Sequence, residues 1–251
     1  MSGIALQLYT MREPAKKDLE GMLKRVRDMG WEYVQWSGMP SLPAHRIRAA
    51  LDDAGLKAVA AHVGIEAFEK DFPAEVMYWN IVGAKDMAPG GMMNDCRDSL
   101  EGWLRGAKRL DAVGAKLRGA GMRLSYHNHA MEFEKFDGDP RCKLDILMDE
   151  AKNVNAELDL AWVKVGGADP AAYIRKYAGR CPVIHVKELA ERKRLGRPYF
   201  VPLGKGVLDW ENIFKATHEA GVEWYVYEQD TCDDPFEDAK ISYEFFKANG
   251  F

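Results

Sequence analysis

The segment Tyr126-His127-Asn128-His129, with Glu132 close behind, brings two imidazoles, an amide and a carboxylate together. Alternation along an extended chain puts His127 and His129 on one face and Asn128 on the other. Three other strand-like runs also reach a ligand-type side chain: Leu158-Asp159, Ile184-His185-Val186-Lys187 and Tyr227-Glu228. With the histidine pair, Asp159, His185 and Glu228 make a mixed nitrogen and oxygen donor set without thiolates. Such a set suits one divalent ion (Mn, Zn, Co or Fe) better than calcium. An ion with an open position polarises a carbonyl or hydroxyl, while a nearby carboxylate or histidine moves the proton. Aldose–ketose isomerisation, epimerisation beside a carbonyl and β-elimination share that first step. Glu157 has the parity of Asp159 and could also point inward. Lys187 has the parity of His185, and an inward lysine needs a carboxylate or a substrate oxygen as partner.

Such residues converge only if their strands lie side by side. A helical run closing near a glycine and leading into a short apolar strand recurs along the chain. The strands so predicted are Trp31–Trp36, Leu56–His62, Ala84–Ala88, the run ending in the histidine segment, Cys181–Lys187 and Val222–Glu228. Ile4–Tyr9 and Val154–Leu160 bring the number to eight. Apolar residues at three-to-four spacing predict helices over 19–29, 46–54, 100–117, 171–177 and 210–220. Strands alternating with helices imply a parallel sheet. Eight units fit a (β/α)₈ barrel, read here as a single domain over residues 1–251. A doubly wound sheet fits less well, because no glycine-rich phosphate loop follows the first strand. The long stretches 131–140 and 190–206 would then lie on the C-terminal face, where active sites of such barrels are built. Arg192, Lys193, Arg194 and Arg197 in the second offer contacts to an anionic or polyhydroxylated substrate.

A net charge of -4 gives no general attraction to nucleic acid or anionic membrane, so neither is an expected partner. No apolar run approaches the roughly 20 residues of a membrane span. The first residues lack a basic and then long apolar leader pattern, so the cytoplasm is the expected setting. The four cysteines are scattered without a CxxC pair and read as free thiols.

On these motifs the chain resembles the sugar phosphate isomerase/epimerase superfamily, the xylose isomerase-like (β/α)₈ barrels. The resemblance runs from Ile4–Tyr9 to Tyr227-Glu228. It implies metal ligands at Asp159, His185 and Glu228, on strands six, seven and eight. On strand five many members have glutamate where this chain has His127. Either His127 takes that ligand position or Glu132 folds back to it; parity and alignment favour His127. The missing glutamate also removes one of the epimerases' two acid–base carboxylates. His129 is then the candidate base, with Glu228 and Lys187 as further catalytic groups. Lys187 would hold a substrate hydroxyl or enolate oxygen. His62 resembles a substrate-contacting position, Trp36 could stack on a sugar face, and Glu132 and Arg192 complete the candidate substrate contacts. The implied function is metal-dependent proton abstraction beside a carbonyl of a small sugar, inositol derivative or keto-glycoside. A homo-oligomeric state is left open. An endonuclease IV-like DNA repair enzyme and a non-catalytic sugar-binding subunit are the alternatives on the same barrel.

Overall fold

In the computed structural model, which describes residues 3–251, eight parallel strands close a barrel. Met1 and Ser2, part of the run read for a leader, lie outside the described residues. The barrel strands are β1 (Gly3–Gln7), β2 (Tyr33–Trp36), β3 (Lys57–His62), β4 (Asp86–Ala88), β5 (Arg123–His127), β6 (Asn155–Asp159), β7 (Val183–Val186) and β10 (Trp224–Tyr227). Between the last two, β8 (Glu188–Leu189) pairs antiparallel with β9 (Phe200–Val201), so the long 190–206 excursion is anchored at its base. The order around the barrel is β1-β10-β7-β6-β5-β4-β3-β2, each strand beside its neighbours in the chain.

The predicted helices form at Leu19–Asp28, Ala44–Ala54, Leu100–Gly119, Pro170–Lys176 and Trp210–Ala220. Asp18, Ser99, Asp169 and Asp209 cap four of them by accepting backbone N–H bonds. Gly55 and Gly221 end two helices at φ of 70° and 75°, where a side chain would be strained, and the chain turns directly into β3 and towards β10. Unpredicted helices include Phe72–Val82 and Pro235–Ala248. The first is apolar nearly all round, which blurs the helical period.

The main core lies between barrel and helices and includes Leu6, Trp31, Trp103, Tyr126 and Leu158. Inside the barrel, Ala5, Val183 and Val226 form a small apolar cluster. Two residues further along the same strands, the inward positions become Gln7, His185 and Glu228, all buried. Strand alternation thus carries the interior from an apolar layer to a polar one towards the C-terminal mouth.

Candidate functional site

Strand register places the site's residues in two tiers. His127 pairs in register with Glu157 across β5 and β6, and Asp159 pairs with His185 across β6 and β7. Glu228 directly follows β10 and is buried. One potential ligand atom each from His127, Asp159, His185 and Glu228 lie within 4.8 Å of one another. A cavity of about 470 Å³ opens above them, lined by Tyr9, His62, His127, His129, Trp162, Glu228 and Asp230. A larger groove of about 810 Å³ runs alongside, by Arg12, Lys17, Arg25 and Phe236, but contains none of these donors.

The lower tier is organised by Glu157. Its Oε1 lies 2.6 Å from His62 Nε2, 3.1 Å from His185 Nε2 and 3.5 Å from His127 Nδ1. Its Oε2 accepts from Gln35 Nε2 at 3.0 Å, and Gln35 Oε1 accepts from Gln7 Nε2 at 2.9 Å. Burial works against the Glu157 anion, but His185 and His62 outweigh it and hold its pKa well below the carboxylate range.

The upper tier is organised by Lys187. Its Nζ lies 2.8 Å from Asp159 Oδ2, 2.9 Å from Glu228 Oε2 and 2.9 Å from Asp230 Oδ1. Burial disfavours the ammonium, yet these carboxylates keep its pKa well above the usual lysine value. His185 Nδ1 also meets Glu228 Oε2 at 2.9 Å. Burial opposes charge on His185 too, but Glu157 and Glu228 raise its pKa to about 10. Four carboxylates (Glu157, Asp159, Glu228, Asp230) therefore face only two strongly cationic groups, Lys187 and His185. Burial lowers the pKa values of His127 and His129, so both present neutral imidazoles.

The residues fit a divalent ion. The surplus of negative charge asks for a cation. His127 Nδ1 and Asp159 Oδ2 are also buried without a well-formed hydrogen bond, and both residues belong to the donor set. Lys187 is near Asp159 Oδ2, so that oxygen has a charge partner but poor bond geometry. Asp159 Oδ1 caps the short helix Leu160–Val165 by accepting from Trp162 N at 3.0 Å, leaving Oδ2 for the site.

Of the residues singled out from sequence, His62, His127, His129, Asp159, His185, Lys187 and Glu228 come together here. Glu132 does not reach the donor set. Its Oε1 accepts from Tyr126 Oη and its Oε2 from His129 N, both at 2.8 Å, so it fixes the turn carrying His129. Trp36 packs into the core rather than lining the cavity. Arg192 is exposed on the 191–197 loop and does not line the cavity either. Glu157, Asp230 and Trp162, along with Gln35, Gln7 and Tyr9, are not among the residues singled out from sequence. Glu157 carries no sequence signal beyond its parity, whereas Asp230 and Trp162 follow strand ends, a placement that marks them. The Trp162 ring centroid lies 5.5 Å from that of His129, beside the cavity.

A family model described as xylose isomerase-like TIM barrel matches residues 23–249, and the chain belongs to that family. It is similar to inosose dehydratase from Lacticaseibacillus casei, at 24% identity over 165 residues, 58% of this chain and 54% of that one. The chain spans about half the length of the curated relatives it matches. Its fold resembles a sugar phosphate isomerase/epimerase from Parabacteroides distasonis, with TM-score 0.81, 22% identity and 98% of each chain covered. It also resembles the probable 3-DHS dehydratase of petrobactin synthesis from Bacillus anthracis, with TM-score 0.73, 13% identity and 98% and 99% covered. At these identities the structures bear on the fold alone.

Proposed function

We propose that this protein is a divalent-metal-dependent enzyme that removes a proton beside the carbonyl of a small sugar, inositol derivative or keto-glycoside. The observation that carries this reading is the convergence of His127, Asp159, His185 and Glu228 beneath a cavity wide enough for a sugar. These four side chains would hold the ion. When bound, it supplies Lewis-acid stabilisation of negative charge on a substrate oxygen.

The chain's own residues do the rest. His129 is a neutral imidazole at the cavity wall and takes the proton. Glu132 accepts the His129 N–H and holds that residue at the start of its turn. Lys187, fixed as a buried ammonium, holds Asp159, Glu228 and Asp230 in place at the cavity floor. Trp162 presents a flat face beside His129, suited to the C–H face of a sugar ring. His62 and Asp230 border the same space and offer hydrogen bonds to hydroxyls. Loss of water, in which the proton taken by His129 is returned to the departing β-hydroxyl as its C–O bond breaks, is favoured over two-carboxylate epimerisation: strand five ends in His127 rather than a carboxylate, and the matched curated relatives are dehydratases.

The test is solvent deuterium exchange with metal-loaded protein and a panel of inososes and keto-sugars. Exchange at the carbon beside the carbonyl, lost in Asp159→Asn, is the expected result. No exchange and no turnover with any member of the panel would reject the reading.

A further inference from the structure

We propose that His62, His127, Glu157 and His185 form a second, inner station for a transition-metal ion, an alternative to the outer set. The proposal rests on the reading above only in taking His127 and His185 as metal ligands. Three imidazole nitrogens converge on one carboxylate oxygen, at 2.6, 3.1 and 3.5 Å. The four donor atoms lie within 4.8 Å of one another. A tetrahedral ion with bonds of about 2.0–2.2 Å spaces its donors roughly 3.3–3.6 Å apart. Small adjustments therefore open the cluster around such an ion.

Donor chemistry separates the stations. Three imidazoles and one carboxylate suit Zn²⁺ or Co²⁺. In the outer set, Asp159 Oδ2 and Glu228 Oε2 are already held by the Lys187 ammonium at 2.8 and 2.9 Å. The charged-group contacts of Glu157, by contrast, are all imidazoles. His127 Nδ1, buried without a partner, is aimed at the inner station. His185 settles how the stations relate. Its Nε2 lies 2.7 Å from Gln35 Oε1 and 3.1 Å from Glu157 Oε1, so an inner ion takes that nitrogen from Gln35, and its Nδ1 faces Glu228. A neutral imidazole has one lone pair to give, so it serves one station at a time. With Nε2 on an inner ion, Nδ1–H donates to Glu228, the carboxylate–histidine–metal arrangement that recurs around zinc. His127 pairs in register with Glu157. The carboxylate absent from the end of β5 is supplied at the same height by the next strand.

Cobalt(II) titration of the apo-protein, followed by visible absorption, tests this independently of turnover. The wild type should take up one equivalent and show the intense bands of four-coordinate cobalt. His62→Gln and Glu157→Gln should lose those bands and bind cobalt at least tenfold more weakly, while Asp159→Asn keeps them. Thermal melting of the metal-free variants checks folding, and His62→Asn, at a partly exposed position, serves if Glu157→Gln is unstable. Retention of the bands in the His62 and Glu157 variants overturns the proposal. So does equal loss in Asp159→Asn, because the donors would then form one site. If the wild type binds no ion, this proposal and the metal-dependent reading both fail. If binding needs only the outer residues, the inner station alone fails.

Discussion

Both ends of this barrel bury charge, and they do it differently. At the N-terminal end Arg123, at the start of β5, meets Asp86 with two hydrogen bonds of 2.8 and 2.6 Å. The same guanidinium meets Glu223, just before β10, at 2.7 and 2.8 Å. One planar fork satisfies both carboxylates, an arrangement arginine is shaped for. At the mouth, one ammonium is shared among Asp159, Glu228 and Asp230, and Glu157 is surrounded by histidines. Buried donor-set atoms there are left without a well-formed bond. Buried charge alone therefore does not mark a site. Surplus charge and unsatisfied ligand atoms under a cavity do.

Disabling the mouth should have the largest effect. His185→Ala removes a ligand common to both metal sets, so it should abolish metal content and slow turnover about a thousandfold, equivalent to about 4 kcal/mol of barrier. Metal analysis and circular dichroism on the same sample check it; a wild-type metal content would erase the contrast between the two ends. Arg123→Ala should do the reverse. It strands the buried Asp86 and costs about 3 kcal/mol of stability, while metal uptake stays at the wild-type level. Its deficit should grow as pH rises. Burial, outweighing Arg123, already lifts the Asp86 pKa to about 6. A carboxyl with a raised folded-state pKa contributes stability at low pH that is lost as pH climbs through that value, and losing Arg123 sharpens the loss. Urea denaturation at several pH values between 5 and 8 measures the trend.

His129→Gln should keep the metal yet lower solvent deuterium exchange about a hundredfold, the scale of a missing general base. Unchanged exchange would give the base role to another group at the mouth. The smallest effect belongs to Arg192→Ala. Because that side chain is exposed on the 191–197 loop, KM and kcat should each change by less than about twofold, within the range of ordinary surface substitutions. A larger rise in KM would mean that this loop folds over the bound substrate.

The barrel was legible because each unit writes its own local signal. Apolar runs, capping residues and closing glycines act over a few neighbouring residues, and they marked all eight barrel strands to within a few residues. The helix Phe72–Val82 escaped because its apolar residues surround its axis, leaving no face to detect. Strand parity was equally local, and it correctly sent His127, His185 and Lys187 inward.

Which inward residues meet was a different matter. Asp159 and His185 stand side by side only because β6 and β7 pair in that register. Glu132, six residues beyond Tyr126, was free in sequence terms to reach a metal. The fold instead locks it onto Tyr126 Oη and the His129 N–H. Glu157 carried no signal beyond its parity, yet it ties three histidines together from three other strands. Sequence alone determined the elements, their alternation and the kinds of donor at the strand ends. These depend on short-range propensity and on which face of a strand a side chain takes. Tertiary structure decided the partners, the two tiers and the place of Lys187 among the carboxylates. Those depend on barrel closure and strand register, which bring distant residues within 3 Å and leave no trace in their spacing along the chain.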